Sequence, residues 1–150
     1  MRAVVQRVSS ASIITESGHE EAIQKGLLIL LGIENGDDEE DIKWLSKKIA
    51  NLRIFNDEKG IMNLSLKDIN GESMVVSQFT LHASTKKGNR PSYAKSAKPE
   101  KAIPLYESFL SAWAEQSGHF PATGIFGDHM NISLINDGPV TLIIDTKSKE

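Results

Sequence analysis

A continuous run of large aliphatic residues sets the strongest limit on the fold. Residues 27–31 read Leu-Leu-Ile-Leu-Leu, with no polar residue at alternate positions. A strand with one face in water would alternate, so this run predicts a strand that is covered on both faces. It is also far too short to cross a bilayer. We therefore expect a sheet with packing partners on both sides and no membrane-spanning segment.

Strand patterns recur along the chain, in segments rich in Val, Ile, Ser and Thr. A glycine at position 26 predicts a kink within the second of them. The segment 136–139, Asn-Asp-Gly-Pro, is a turn signal that predicts a hairpin between the last two strands. The predicted strands are residues 2–14, 22–33, 53–55, 74–81, 131–135 and 140–145.

The first of two predicted helices follows a break at residues 35–36. Asp37 can cap this helix, with Glu40 three residues on completing a capping box. Apolar residues then recur at helical spacing from Ile42 to Leu52. The acidic cluster at residues 34–41 is therefore interpreted as a helix start rather than as a metal site.

Pro99 suits the first turn of a second helix, and Gly118 can end it. Pro104 lies inside the apolar pattern and can bend or delay this helix. Strands with two inserted helices predict an α+β fold, in which a rolled, barrel-like sheet carries both helices on its outside. The length of 150 residues fits one domain over residues 1–150. Dimer formation is a common way to cover the edges of such a sheet.

Composition excludes several kinds of site. The chain has no cysteine, which rules out disulfides, zinc–thiolate sites and cysteine nucleophiles. The first residues lack the apolar stretch of a secretory signal, so we expect a soluble cytoplasmic protein. The net charge of -3 does not suggest a nucleic-acid partner, yet residues 86–101 are rich in Lys and Arg. That segment is either a basic binding surface or a solvated loop.

The common catalytic motifs are missing from the sequence. It contains no His-Glu-x-x-His zinc helix, no phosphate-binding glycine loop, no dinucleotide fingerprint and no Gly-x-Ser-x-Gly elbow. The four histidines are scattered. We therefore predict neither a metal site nor a cofactor.

Two segments combine residue types that are unusual for plain structure. Residues 77–83, Ser-Gln-Phe-Thr-Leu-His-Ala, put polar groups at the end of an apolar strand, where backbone amides become free to bind a ligand. The alternative is a strand that simply emerges into solvent. Thr80 and His82 would share one strand face, so a hydroxyl nucleophile with a histidine base is a further alternative. Residues 136–141 are either a plain hairpin or a rigid wall that presents the carbonyls of Gly138 and Pro139.

Together these segments resemble the two signature motifs of the D-aminoacyl-tRNA deacylases. Residues 77–80 match the Ser-Gln-Phe-Thr motif, and residues 136–141 match the Asn-x-Gly-Pro-Val-Thr motif. Further similarity covers nearly the whole chain in the family's order, in residues 1–8, 53–55, 62–65 and 88–92. His82, Ile125 and Asp128 depart from the residues that are more usual in the family.

The resemblance implies a homodimer with its site at the subunit interface, acting on aminoacyl-tRNA. The Gly138–Pro139 peptide would be cis and would enter the partner's pocket, where it excludes an L side chain. Glycine has no side chain, so glycine misattached to alanine tRNA would also be a substrate. Backbone amides near Phe79 and Thr80 would hold the oxyanion, and the RNA's own 2′-hydroxyl would help to activate water.

The resemblance also assigns roles to individual residues. Arg7 either braces the Gly-Pro segment or is an ordinary surface arginine. The expected catalytic residues are Ser77, Gln78, Phe79 and Thr80. The expected substrate-binding and chirality-selecting residues are Gly138, Pro139, Asn136, Arg7 and Met130. The expected tRNA-binding residues are Lys86, Lys87 and Arg90.

Overall fold

The computed structural model describes residues 1–149 and contains one six-stranded sheet and one two-stranded sheet. Its strands are β1 (Arg2–Thr15), β2 (Glu20–Ile23), β3 (Gly26–Gly32), β4 (Phe55–Asn56), β5 (Met62–Leu64), β6 (Glu72–Ser77), β7 (Ala122–Thr123) and β8 (Met130–Asp145). In the larger sheet β1 pairs antiparallel with β2, β3 and β8. β6 joins β3 and β7 through parallel pairing. β4 and β5 form the small antiparallel sheet.

The larger sheet rolls because β1 changes its pairing partner along its length. Its first half pairs with β3 and its second half with β2, while the pairing register with β8 shifts between Val8 and Ser10. The shift changes which alternate side chains face inward, so Val8, Ala11 and Ile13 all become buried. β2 then lies against β6 and β7, which brings the sheet close to closure. The prediction of a rolled, barrel-like sheet is confirmed.

The predicted strand 22–33 is two strands, and the break lies beside Gly26. A Cβ atom on Gly26 would lie 1.8 Å from the backbone oxygen of Glu72, so only glycine permits this close approach of β3 to β6. The predicted strand 53–55 is also shifted, because β4 begins at Phe55 rather than at Arg53. Its partner β5 was not predicted as a strand.

Helices α1 (Glu39–Ala50) and α2 (Pro99–Ser117) pack on the outside of the sheet, as predicted. Leu27, Ile29 and Leu31 point toward the helices and belong to one buried cluster with Leu45. Leu28 points into the roll and belongs to a second cluster, built around β1 and β6. The apolar run is therefore covered on both faces, as the missing alternation predicted.

The cap of α1 was predicted one residue too early. The N-cap is Asp38, whose side chain accepts from the backbone N–H groups of Glu40 at 2.9 Å and Asp41 at 3.4 Å. Asp41, not Glu40, closes the capping box by accepting from the N–H of Asp38 at 3.0 Å. Asp37 instead accepts from the N-terminal amine of Met1.

Helix α2 begins at Pro99 and continues through Pro104 without interruption. It ends at Gly118, whose φ of 89° is left-handed, as the sequence predicted. In the described part of the chain, no helix is both long and apolar enough to cross a membrane.

Candidate active site

A pocket of about 260 Å³ opens where β3 and β6 end. Its walls are mainly apolar, and its polar groups come from the end of β6 and from the loop before β8. The pocket therefore combines an apolar chamber with polar groups at one side, which is the usual character of a small-ligand site. Its lining includes Leu31, Val76, Ser77, Gln78, Phe79, Phe126, Asp128, His129, Met130 and Ile132.

Ser77, Gln78 and Phe79 of the motif 77–80 line one side of this pocket, where the backbone changes structure, whereas Thr80 is not among the lining residues. The strand predicted over residues 74–81 ends at Ser77, and a short 3₁₀ helix follows over Phe79–His82. The N–H of Gln78 donates to the carbonyl of Leu31 at 2.8 Å, which is the last contact with β3. The N–H groups of Phe79 and Thr80 come next, and neither donates a hydrogen bond within residues 1–149. They are free donors, as expected for the first amides of a helix.

Two residues that the sequence did not single out hold this turn in place. Ser96 donates from its hydroxyl to the carbonyl of Phe79 at 2.9 Å. The ring of Tyr93 meets the Phe79 ring edge-on, with centroids 5.1 Å apart. Phe79 is nevertheless 54% exposed, so it stands at the mouth of the pocket. Tyr93 could have been found from the sequence, because it is an aromatic residue in an otherwise polar loop. No feature of the sequence marks Ser96.

Thr80 and His82 do not form the predicted pair on a strand face, because both lie on the 3₁₀ helix. The Thr80 hydroxyl oxygen accepts from the side-chain amide of Gln78 at 2.5 Å. His82 is only 3% exposed, and its Nε2 atom has no hydrogen-bond partner within the described residues. The Thr80 hydroxyl therefore has no histidine base in contact with it.

The Gly138–Pro139 segment is a bulge in one strand and not the predicted hairpin. Both flanks belong to β8 and pair with β1, because Asn136 lies opposite Val8 and Thr141 lies opposite Gln6. Residues 137–140 thus protrude from the ladder opposite Arg7. The peptide between Gly138 and Pro139 is cis, and Gly138 has a φ of 135° that L side chains rarely adopt.

Asn136 closes the base of the bulge with its side-chain amide. Its oxygen accepts from the N–H of Val140 at 3.1 Å, and its nitrogen donates to the Val140 carbonyl at 3.2 Å. These two bonds replace the missing ladder contacts of Val140, the last of the protruding residues.

Arg7 is buried beneath this bulge, with 7% of its surface exposed. Its Nε atom donates to the carbonyl of Asp137 at 3.0 Å, and one Nη atom donates to the carbonyl of Ile54 at 2.7 Å and to Asn56 at 3.1 Å. The Asp137 carboxylate lies 3.3 Å from Nε. The guanidinium thus ties the bulge to the segment that enters β4.

The predicted site residues form separate groups within one chain. Met130 lines the pocket together with Ser77, Gln78 and Phe79. Gly138 and Pro139 are not among the residues that line it, and Asn136 and Arg7 lie beside them. A single chain therefore presents a pocket and a rigid bulge that do not meet each other.

The predicted tRNA-binding residues lie on an exposed loop. Ser84 and Ser92 close this loop through backbone hydrogen bonds of 2.8 and 2.9 Å. Lys86, Lys87 and Arg90 lie between them, exposed to solvent and without an ion pair inside residues 1–149.

The acid at the pocket's outer wall is held by a serine from the β1–β2 turn. Ser17 donates to the Asp128 carboxylate from its hydroxyl at 2.6 Å and from its N–H at 3.2 Å. These bonds lower the pKa of Asp128, so the group is ionised near neutral pH. Across residues 1–149, no three His, Asp or Glu side chains cluster closely enough to hold a metal ion.

The fold and pocket define a small α+β protein with an apolar pocket and free backbone amides at the end of a rolled sheet. A family model described as D-Tyr-tRNA(Tyr) deacylase matches residues 4–145. The chain is 64% identical over 150 residues to a Flavobacterium psychrophilum protein named D-aminoacyl-tRNA deacylase, covering 100% of both chains. The chain belongs to the D-Tyr-tRNA(Tyr) deacylase family. The predictions of this family, and of a hydrolase, are confirmed.

Solved structures give the same fold. One, titled c-Myc DNA Unwinding Element Binding Protein, superposes with a TM-score of 0.90 at 37% identity and covers 97% of this chain and 99% of that one. Another, titled as a probable eukaryotic D-amino acid tRNA deacylase, has a TM-score of 0.79 at 13% identity, with coverage of 95% and 97%. The second likeness concerns the fold alone.

Proposed function

We propose that this protein hydrolyses the ester bond between a D-amino acid and the terminal adenosine of tRNA. The observation that carries the proposal is the free N–H group of Phe79, a residue that lines an apolar pocket, with the free N–H group of Thr80 next to it in the chain. Two fixed backbone donors can bind the oxygen that becomes negative when an ester carbonyl is attacked. Family membership supports the same chemistry.

The reaction needs little from the side chains. Water attacks the carbonyl carbon, the bond to the ribose oxygen breaks, and that oxygen takes up a proton. The ester is already activated by the α-ammonium group and the neighbouring ribose hydroxyl. The RNA's 2′-hydroxyl helps to orient or activate the water, and the protein supplies position and oxyanion binding. Ser77 and Gln78 shape this side of the pocket, and Met130 forms its apolar wall.

Selection against L-amino acids comes from a second copy of the chain. In this proposal the protein is a homodimer, and the Gly138–Pro139 bulge of each protomer enters the pocket of its partner. Carbonyls at the bulge accept from the α-ammonium group, and the backbone beside them occupies the space that an L side chain would need. The separation of bulge and pocket within one chain supports this arrangement. Asn136 and Arg7 keep the bulge in one shape.

The same steric exclusion has no effect on glycine. Glycine attached in error to alanine tRNA is therefore a second proposed substrate. Lys86, Lys87 and Arg90 would contact phosphates of the RNA. The reaction would take place in the cytoplasm.

The direct test measures deacylation of D-Tyr-tRNA and L-Tyr-tRNA by the purified protein under identical conditions. The proposal expects rapid hydrolysis of the D form and little hydrolysis of the L form above the rate without protein. Equal rates on both would contradict the stereochemical proposal. Binding of tRNA with no turnover of either form would favour a tRNA-binding module without catalysis.

A second test concerns the Thr80 hydroxyl. Since the one hydrogen bond of the Thr80 hydroxyl within residues 1–149 is with Gln78, the proposal expects Thr80→Ala to keep most of the turnover of D-Tyr-tRNA. If Thr80 were a nucleophile, the variant would lose activity on the order of 10³-fold or more while remaining folded. Thr80→Ser is the matched control, because it keeps the hydroxyl in both cases. Hydrolysis of p-nitrophenyl esters without RNA would also favour the nucleophile mechanism.

A further inference from the structure

One wall of the pocket is a short loop between β7 and β8. Phe126, Gly127, Asp128 and His129 are consecutive residues of this loop, and all four line the pocket. We call residues 124–129 the wall loop. It has no strand or helix of its own, so its position depends on contacts with other segments of the chain.

Three kinds of directional contact hold the wall loop against the rest of the chain. The Phe126 ring packs against Tyr106, with ring centroids 5.8 Å apart. The N–H of Glu16 donates to the His129 carbonyl at 2.9 Å. Within residues 1–149, the side-chain hydrogen bonds between the wall loop and another segment all end on the Asp128 carboxylate.

Ser17 supplies those hydrogen bonds from the turn between β1 and β2. Its hydroxyl donates to Asp128 Oδ2 at 2.6 Å, and its N–H donates to the same oxygen at 3.2 Å. The N–H of His129 donates to the other carboxylate oxygen at 3.1 Å. The carboxylate is therefore held at both oxygens, and it links the wall loop to a turn 111 positions earlier in the chain.

The Ser17 hydroxyl is itself oriented by a chain of hydrogen bonds that starts in the sheet. The N–H of His19 donates to the Thr15 hydroxyl at 3.0 Å, and the hydroxyl oxygens of Thr15 and Ser17 lie 3.1 Å apart. The lowered pKa of Asp128 keeps its carboxyl group ionised, so this group can only accept. Ser17 must then give its one hydroxyl proton to Asp128, and Thr15 donates to Ser17. Because Thr15 is buried, the chain of bonds connects Asp128 to the end of β1.

We propose that the Ser17–Asp128 contact sets the position of the wall loop, and that Asp128 is thereby a positioning residue for the aminoacylated end of tRNA. The inference rests on the proposed function, which brings the terminal adenosine of tRNA to this pocket. Asp128 lies outside both signature motifs and departs from the residue that is more usual in the family. Family membership alone therefore does not assign this role.

The expected kinetic effect is on substrate binding rather than on the chemical step. In the proposed mechanism the N–H groups of Phe79 and Thr80 bind the oxyanion, and they belong to another segment. The wall loop contacts the substrate both before and during the reaction, and an interaction made equally in both states changes KM but not kcat. An Asp128 variant keeps the loop's contacts with Tyr106 and Glu16, which limits the loss.

The first test measures kcat and KM for D-Tyr-tRNA in Asp128→Ala, Ser17→Ala and the double variant. Asp128→Ala should raise KM roughly three- to tenfold, the effect of a hydrogen bond near solvent, with kcat unchanged within about twofold. Ser17→Ala should act in the same direction, and the double variant should lose no more than Asp128→Ala alone, because both changes remove one contact. Ser17→Thr keeps the hydroxyl and should recover most of the wild-type affinity. Unchanged KM, or losses that add in the double variant, would overturn the inference.

Asp68→Ala is the matched control. The Asp68 carboxylate accepts from the N–H and from the hydroxyl of Ser65, both at 2.8 Å, which is the same pair of donors that Ser17 gives to Asp128. Neither Asp68 nor Ser65 lines the pocket. Asp68→Ala should therefore keep the wild-type KM and kcat. An equal rise in KM would assign the Asp128 effect to a general loss of stability and overturn the inference.

A second test does not depend on turnover. It compares the affinity of uncharged tRNA with that of the same tRNA from which the terminal adenosine has been removed. The wild type should bind the intact tRNA more tightly, and Asp128→Ala should reduce that difference roughly three- to tenfold. Backbone hydrogen exchange over residues 125–129 should also be faster in Asp128→Ala than in the wild type. Faster exchange with no change in either KM or the tRNA difference would show that the substrate does not use the loop.

Failure of the inference can be distinguished from failure of the proposed function. If the wild type hydrolyses D-Tyr-tRNA selectively but Asp128→Ala behaves as Asp68→Ala does, the proposed function stands and the inference is overturned. If the wild type hydrolyses neither the D nor the L ester, the comparison of the two tRNAs still decides the inference. A wild type that binds both tRNAs equally would overturn it, because the terminal adenosine would then not be held in the pocket.

Discussion

Arg7 shows how one side chain can control the shape of a distant segment. Its guanidinium is buried, and it satisfies the carbonyls of Asp137 and Ile54 that would otherwise lack partners. Lysine carries the same charge, but all its donors lie on one nitrogen, whereas Arg7 reaches the two carbonyls from two separate nitrogens of a planar group. The backbone of the bulge therefore depends on the geometry of arginine and not simply on its charge.

We predict that Arg7→Lys destabilises the protein by about 1–3 kcal/mol, because at least one buried carbonyl loses its donor. If the bulge excludes an L side chain as proposed, turnover of L-Tyr-tRNA should rise relative to D-Tyr-tRNA, because a loosened bulge would exclude that side chain less well. Urea unfolding and paired deacylation assays measure the two effects. Arg53→Lys is the matched control, because exposed Arg53 bonds the carbonyl of Asn63 and not the bulge. Unaltered D/L selectivity in a destabilised Arg7→Lys would restrict Arg7 to a structural role.

Sequence analysis found the pocket residues whose side-chain chemistry is unusual for their place in the chain. It missed the residues whose role comes only from a contact with a distant part of the chain. Ser77, Gln78 and Phe79 are polar or aromatic residues at the end of an apolar strand, and they do line the pocket. Ser96 holds Phe79 across 17 positions of chain, and no local pattern marks it. The cap of α1 was misplaced by one residue because Asp37 and Asp38 have the same capping chemistry.

Helices and strands could be predicted where the apolar pattern extended over many residues. The positions at which they end could not be predicted. The strand predicted over 74–81 ends at Ser77 because the N–H of Gln78 makes the last contact with β3 and the chain then turns into a 3₁₀ helix. The turn signal at 136–139 was correct in composition, yet both flanks pair with β1. Local sequence cannot distinguish a hairpin from a bulge, because the difference lies in which distant strand accepts the flanks.

Helix α1 offers a test of the corrected cap. Burial would raise the pKa of Asp41, but hydrogen bonds from Lys147, Thr146 and the Asp38 N–H hold that pKa at about 2, against an ordinary value of 3.8. A carboxyl group with a lowered pKa stabilises the folded state above pH 4, and that contribution is lost as the pH falls toward 2. The pKa shift limits the contribution of ionised Asp41 to the free energy of unfolding to about 2.4 kcal/mol. Solvent around half-exposed Lys147 reduces this contribution further.

We therefore expect Asp41→Asn to lower the free energy of unfolding by about 1–2 kcal/mol at pH 7. The difference from wild type should narrow between pH 4 and pH 2. Urea unfolding across this range measures it. The control is Glu40→Gln, which removes a charge from the same turn but no capping contact, and should cost about 0.3 kcal/mol. A larger effect for Glu40→Gln than for Asp41→Asn would restore the capping box that the sequence first suggested.

Within residues 1–149, the larger sheet has one long exposed edge. β8 pairs with β1 on one side, and Ile135 and Ile143 are 62% and 73% exposed along it. The opposite edge is the two-residue strand β7. The Gly138–Pro139 bulge lies on the long edge, so a partner that covers this edge also meets the bulge. Fold class and family could be predicted from the chain alone, whereas the proposed dimer rests on the family resemblance and on these exposed apolar residues.

We predict that Ile135→Glu weakens a dimer formed along this edge, because each protomer would bury a charge without a partner. As the Ile135→Glu variant is diluted, light scattering should show a shift from dimer to monomer, and turnover of D-Tyr-tRNA per protomer should fall over the same concentration range. If the partner's bulge completes the pocket, the dimer fraction and the turnover must fall together with concentration. Phe120→Glu is the control, since Phe120 is 66% exposed and precedes β7 at the opposite edge. A monomeric Ile135→Glu variant with full D/L selectivity would show that one chain carries the whole site.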